Sequence, residues 1–268
     1  MAMVINTNIG SLNATRLLDQ SSRSQATSME RLTSGVRINN SKDDAAGQSV
    51  VTNMTSQVRG LDMAVRNAND GMSMIQTADG ALDEQVSMLQ RMRELAVQSS
   101  NGTYTATQRT AMQAEVTQLN SELKRISDTT KFNGISLLSG TSTVNFQVGW
   151  ERGTTNKIAF SKATFASVAA GIATAASAST TIGNISTRLQ SIEAQRAKWG
   201  AVQNRLEYTN SNLQNVAENI SASRSRIQDT DYAKEAANLA RSQVLQQAGM
   251  SMLSQSNANG QNVLSLLR

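Results

Sequence analysis

Proline, cysteine and histidine are all missing from this 268-residue chain, and each absence removes a class of answers. Proline is the strongest intrinsic helix breaker, so helices here can run very long. Without cysteine there is no disulfide and no thiolate metal site. Without histidine the commonest general base and metal ligand is gone. Aromatic residues make up only 3% and hydrophobic residues 39%, with Ser, Thr, Asn, Gln and Ala filling most of the rest. That composition predicts a mainly α molecule, elongated and thin, with a narrow apolar seam. No run approaches the roughly 18 consecutive apolar residues of a membrane span, so no membrane insertion is expected. The formal charge is +5, but Lys and Arg are scattered rather than blocked, so no nucleic-acid partner is indicated. The opening, Met1 to Asn8, lacks the basic segment and apolar run of a cleaved signal.

What is present is a heptad. Ile185, Ile192, Trp199, Leu206, Leu213, Ile220 and Ile227 fall seven residues apart, each large and apolar. Ile182, Leu189, Val202 and Val216 add a second register, and the intervening residues are polar. Such a repeat marks a helix that packs along one seam against other helices. At about 1.5 Å per residue the stretch would form a rod roughly 65 Å long. A second stripe runs through Val50, Met54, Val58, Leu61, Val65, Ala68, Met72, Ile75, Ala78, Leu82, Val86 and Leu89. Gly47, Gly60, Gly71 and Gly80 interrupt it, each costing about 1 kcal/mol against Ala. Close packing at small residues is the expected reason. Asn101-Gly102 ends that helix, and a third follows from about Thr105, with Met112, Val116, Leu119, Leu123 and Ile126 on one face.

From Phe132 the pattern changes. Asn133-Gly134 is a turn; Val144, Phe146 and Val148 alternate with polar residues; 157–161 reads as a returning strand. This predicts a small β element of up to two hairpins. The Ala/Ser/Thr/Gly-rich stretch 163–181 reads as a short helix followed by a linker.

The two ends mirror each other. At the front, Ile5, Ile9, Leu12, Leu18, Ala26, Met29 and Leu32 form a weak helical stripe, followed by turn chemistry near Gly35 to Ser41. At the back, Asp229-Thr230-Asp231 breaks the chain before a last helix with Ala236, Leu239, Ala240, Val244, Ala248, Met252 and Leu253 inward. Val263, Leu264, Leu266 and Leu267 make its end strongly apolar. The predicted organisation is a terminal-helix core domain, 1–40 with 230–268, and a helical rod domain, 41–229. The rod carries the β element near 132–161 and a short linker at 162–181. In it the two long rods lie antiparallel.

Terminal stripes too apolar for water, on helices too marginal to stand alone, favour pairing with other copies. A contact that does not close on itself makes a helical filament. The expected filament-core contacts are Ile5, Ile9, Leu12, Leu32, Leu239, Val244, Met252, Val263, Leu264, Leu266 and Leu267. No polar groups converge as catalysis requires, so no catalytic, metal or cofactor residues are assigned and no enzyme is expected. The carboxylate clusters Asp43-Asp44, Asp83-Glu84 and Asp229/Asp231 suit helix capping or solvation.

Several motifs resemble the bacterial flagellins, over nearly the whole chain. They are Ile5-Asn6-Thr7-Asn8 with Ser11-Leu12-Asn13-Ala14, Arg31-Leu32-Thr33-Ser34-Gly35 with Ile38-Asn39, and Asp43-Asp44-Ala45-Ala46-Gly47. Leu89 to Gln98, Phe132-Asn133-Gly134, Asn215 to Ile220, Arg226 to Asp231, Gln246 to Gly249 and Asn262 to Arg268 continue the match. The resemblance implies a homo-polymeric flagellar filament protein, exported through the type III apparatus and polymerised under a distal cap. Terminal helices would form the inner core and the rods with the β-hairpin the next shell. Large outer domains would be absent, since only the stretch near 141–181 occupies their place. Flagellar cap and junction proteins, a cytoplasmic export chaperone at the C-terminal helix, and host innate immune receptors are the partners it implies. A receptor-recognised surface would map to Arg91, Leu95 and Glu115, with subunit contact the alternative role for Arg91 and Glu115. A hook–filament junction protein of the same architecture, a secreted translocator and a nucleic-acid-binding rod are the competing readings.

Overall fold

Helix starts are set by side chains that take up the first free backbone N–H groups. In the computed structural model, which describes residues 7–165 and 167–266 with side chains as far as residue 258, five helices and four short strands follow in order. They are α1 (Ile9–Ser34), α2 (Ala45–Ser100), α3 (Ala106–Thr129), β1 (Lys131–Phe132), β2 (Ile135–Ser136), β3 (Thr143–Gln147), β4 (Lys157–Ser161), α4 (Ala175–Gln228) and α5 (Tyr232–Leu266). Asn8 caps α1 by accepting from the Ser11 N–H at 3.1 Å. Asp44 accepts from Gly47 N–H at the start of α2, and Asp231 accepts from Ala233 and Lys234 N–H at the start of α5. Thr105 and Gln108 form a reciprocal capping box on α3. Gly35, at φ 73°, closes α1 in the left-handed conformation.

The chain divides into two units, Gln57–Glu218 and Met1–Ser56 with Asn219–Arg268. Within the 57–218 unit the core is the seam that the heptads mark. Ile185, Ile192, Trp199 and Leu206 are buried with Leu61, Ala68, Ile75, Ala78, Leu82 and Leu89 from α2 and Val116 and Leu123 from α3. Trp199 satisfies its indole N–H by donating to the Ser161 carbonyl at 3.0 Å and stacks tilted on Phe160. Arg196 of α4 forks onto Asp79 (2.8 Å) and Asp83 (3.1 Å) of α2, which ties the helices beside the seam. Val216, predicted for the second register, is exposed instead.

Both hairpins form. β1 pairs antiparallel with β2 around Asn133-Gly134, where both residues have positive φ. β3 pairs antiparallel with β4, placing Val144 opposite Phe160 and Phe146 opposite Ile158. The β3–β4 hairpin lies on α2 where glycine lets it approach. A Cβ on Gly60 would sit 2.6 Å from Trp150 Cβ, and one on Gly71 would sit 3.1 Å from the Phe146 ring. Gly80 has open space around it, so close packing explains Gly60 and Gly71 but not Gly80.

Residues 162–174 depart from the predicted helix and linker. Residues 162–165 and 167–174 form an irregular strap whose Phe165, Val168 and Ile172 side chains are buried in the core. Its backbone is held by side-chain amides. Asn120 of α3 donates to the Val168 carbonyl (3.0 Å) and accepts from its N–H (2.9 Å). One turn pair earlier, Gln113 donates to Ala170 O and accepts from Ile172 N–H. Gln85 of α2 and Asn184 of α4 donate to Phe165 O and Ala169 O. Three buried apolar anchors and paired backbone groups outweigh the helix propensity of the alanines.

In the other unit the links between helices cross. Val36 bridges Asp229, Arg37 N–H donates to Gln228 O, and Thr230 N–H donates to Gly35 O. Asp43 accepts from the N–H groups of Asn39 and Asn40, and Glu30 takes both of their side-chain amides. Ile38 is buried against the glycine face at Gly47. The helix interruptions near 35–44 and 229–231 therefore lie inside this unit.

Candidate assembly surface

Helices α1 and α5 pack antiparallel, and most of the residues between them are small or polar, with four leucines interspersed. Along α1 the facing positions are Ser11, Ala14, Leu18, Ser21, Gln25, Ser28 and Leu32; along α5 they are Glu235, Leu239, Ser242, Gln246, Gly249, Leu253 and Ser256. Both rows alternate three and four residues, the spacing of a coiled-coil seam. Ser21 donates to the Ser242 carbonyl at 3.0 Å. Ser28 donates to the Glu235 carboxylate at 2.7 Å, and Arg31 approaches the same carboxylate at 4.0 Å. At the far end Asn8 donates to Ser256 O, and Ser256 Oγ donates to Asn8 Oδ1. A Cβ on Gly249 would meet Leu18 at 3.1 Å, so the glycine sets how closely the helices approach.

The apolar side chains point the other way. Ile9, Leu12 (62% exposed), Leu17, Met29, Val244 (64%), Leu245, Met250 and Met252 (65%) face solvent. An apolar groove of about 710 Å³ runs along one flank of the pair, lined by Ala14, Leu17, Leu18, Leu245, Ala248 and Met252. It continues into a polar groove of about 660 Å³ lined by Arg23, Arg31, Glu235, Asn238 and Arg241.

This arrangement corrects part of the sequence reading. Ala236, Ala240, Val244, Ala248 and Met252 were expected inward, and within the chain they are exposed. Leu32, Leu239 and Leu253 are half-buried between the helices, while Ile9 and Leu12 face out. Ile5 and Leu267 lie outside the described residues, as do the side chains of Val263, Leu264 and Leu266. Sequence reasoning missed the true intramolecular contacts, Ser21, Ser28, Glu235, Ser242 and Gly249. Their signal was a heptad of small and polar residues, which a search for apolar stripes passes over.

On α2 and α3, Arg91 donates from Nε to Glu115 (2.9 Å) and from Nη1 to Glu94 (3.0 Å), all three exposed. The hydrogen bond to Glu115, then that to Glu94, raises the guanidinium's pKa further. Leu95 does not share that surface; at 3% exposure it belongs to the core. Among the described residues no three His, Cys, Asp or Glu side chains gather as a metal site would need. Nor, among those residues, is any helix long and apolar enough to cross a membrane.

The sequence comparisons agree with this geometry. The bacterial flagellin N-terminal helical region matches residues 5–143, and the bacterial flagellin C-terminal helical region matches residues 182–267. The chain is 44% identical over 272 residues to the flagellin of Halalkalibacterium halodurans, covering 99% of this chain and all of that protein. It is 39% identical over 286 residues to the flagellar filament 31.3 kDa core protein of Treponema maltophilum, covering 99% of this chain and all of that protein. The crystal structure of Bacillus cereus flagellin is 30% identical, covers 55% of this chain and 88% of its own, and superposes with a TM-score of 0.49. The chain belongs to the bacterial flagellin family, a family of structural proteins. It is a short form, in which the strap at 162–174 is all that stands between the β3–β4 hairpin and α4.

Proposed function

We propose that the chain is the repeating subunit of a bacterial flagellar filament, and that the outward faces of α1 and α5 are where copies join. The observation that carries this is the inverted polarity of the pair. Small and polar residues make up most of its seam, with Leu18, Leu32, Leu239 and Leu253 among them, while Ile9, Leu12, Leu17, Val244, Leu245 and Met252 remain in water. Burying one such side chain stabilises by about 1.5–3 kcal/mol as an upper figure, so a few contacts per neighbour sustain a polymer. A contact between different faces of identical subunits propagates as a helix rather than closing. The tube so formed serves motility outside the cell, after export through the flagellar type III apparatus. The terminal segments, 1–40 and 230–268, are the parts assigned to its core.

The further partners follow from the same reading: a distal cap and a junction protein at the filament ends, an export chaperone on the C-terminal helix, and host immune receptors at Arg91 and Glu115. Seeded growth tests the core of it. Purified subunit added to filament fragments should lengthen them in negative-stain images, and Leu17→Asp with Val244→Asp should stop growth while circular dichroism of the helices persists. Undiminished growth of that double variant would refute the assigned surface. A wild-type chain that caps seeds without lengthening them would instead favour the junction-protein reading.

A further inference from the structure

We propose that Met250 and Met252 form an oxidation site through which peroxide gates the growth of the polymer. The proposal rests on the assembly reading above, and it deepens that reading by naming a chemical control on the same surface. The two residues are 53% and 65% exposed, two positions apart on α5. At about 100° per residue their side chains leave opposite flanks of the helix, so each flank carries one sulfur. Met252 lines the apolar groove beside Leu17 and Leu245.

The other methionines supply the contrast. Met74 and Met92 are buried in the core of the 57–218 unit, out of reach of a dissolved oxidant. Met63 is exposed, but its sulfur accepts a hydrogen bond from the Arg66 guanidinium at 2.6 Å, which engages one of its two lone pairs and lowers its nucleophilicity. Met29, on the outward face of α1, is nearly as exposed as Met250 and should oxidise alongside it.

The chemistry is a two-electron oxygen transfer. A sulfur lone pair attacks one oxygen of hydrogen peroxide, the O–O bond breaks, and the product is methionine sulfoxide plus water. Sulfur is oxidised and the peroxide reduced, with the two peroxide protons leaving in the water. The sulfoxide turns a flexible apolar side chain into a polar, chiral one. In a joint between copies its oxygen would lose water beside Leu17, Leu245 and Ala248 and would have to compete for donors such as Asn13, Gln20 and Gln255 that line the same groove. A free subunit exposes both sulfurs, whereas burial in a joint would shield them, so oxidation acts before incorporation and not after.

The experiment treats full-length subunit and preformed filament separately with hydrogen peroxide, maps sulfoxides by peptide mass spectrometry, and measures seeded elongation. Met250, Met252 and Met29 should oxidise well before Met74 and Met92 in the free subunit, and the filament should protect Met250 and Met252. Elongation of oxidised subunit should slow about tenfold, and methionine sulfoxide reductase should restore it. Because Met250 and Met252 lie on the assembly surface, the Met250→Leu/Met252→Leu variant is compared with itself, and peroxide should leave its own elongation rate unchanged. Equal inhibition of that variant, or unchanged elongation of wild type carrying both sulfoxides, overturns the proposal while leaving assembly intact. Failure of the unoxidised subunit to elongate at all overturns the assembly reading, and the gate with it.

Discussion

Ser28 donates its hydroxyl to the Glu235 carboxylate at 2.7 Å, and both side chains are buried between α1 and α5. The carboxylate's other side-chain contacts are longer, Asn238 Nδ2 at 3.4 Å on Oε2 and Arg31 at 4.0 Å, so Oε1 depends chiefly on the Ser28 hydroxyl. The pair also fixes register, because a slide of either helix would strand the charge.

Ser28→Ala should therefore weaken the helix pair by about 1–3 kcal/mol, the cost of leaving a buried acceptor unsatisfied. The effect should appear as a critical concentration for polymerisation raised roughly tenfold or more. Ser28→Thr, which keeps the hydroxyl, should fall near wild type. A critical concentration unchanged by Ser28→Ala would show that the contact contributes nothing.

Two glycines of α2 should respond to alanine with opposite sign. At Gly60 the new methyl would lie 2.6 Å from Trp150 Cβ, so the hairpin must shift and stability should fall by about 1–3 kcal/mol. At Gly80 nothing lies within 4 Å of the new methyl, and alanine should stabilise by up to about 1 kcal/mol. Thermal melts of the two variants followed at 222 nm, an ordinary helix wavelength, compare them directly; melting shifts of the same sign would contradict the packing described.

The strap should depend on the amides that hold it. Gln113→Leu removes the donor to Ala170 O and the acceptor for Ile172 N–H together. A loss of about 1–3 kcal/mol is expected, with the Ile172 amide exchanging faster while amides of the α2 core keep their protection. Unchanged exchange at Ile172 would mean that its burial alone holds the strap in place.

Asp43 carries a pH dependence of predictable sign. The Asn40 backbone N–H, then Asn39 N–H and the Lys42 and Arg31 charges, hold its pKa below the ordinary aspartate value. A carboxyl whose folded pKa is depressed contributes stability above its unfolded pKa and loses it as pH falls through the folded value. The turn at 39–44 should thus be tight at neutral pH and loosen only in strong acid. The Asn39 and Asn40 amide shifts should report that titration, and Asp43→Asn should abolish it. A midpoint at or above the ordinary value would reverse the assigned direction.

The long helices were legible because their burial is local in period. Ile185, Ile192, Trp199 and Leu206 recur every seventh residue, and any helix that packs on one side must bury that row. The capping residues Asp44 and Asp231 were legible for a similar reason, since a cap reaches only two or three residues along the chain. The strap was not. Its fate rests on Gln85, Gln113, Asn120 and Asn184, distant side chains whose amides read as surface residues until helices bring them to one backbone. Leu95 likewise read as surface, yet the packing of the 57–218 unit encloses it.

The sequence by itself determined the helical class, the heptad seams, the two breaks and the flagellin character, because each is written in spacing or in contiguous motifs. Tertiary structure alone decided which face of each terminal helix meets its partner within the chain. An α1 with Leu12 and Leu17 on one side and Ser21 and Ser28 on another can pack either way. Only the pairing of Ser28 with Glu235 and the close approach at Gly249 turn the small, polar side inward. The apolar side is left to the solvent, and hence to other copies.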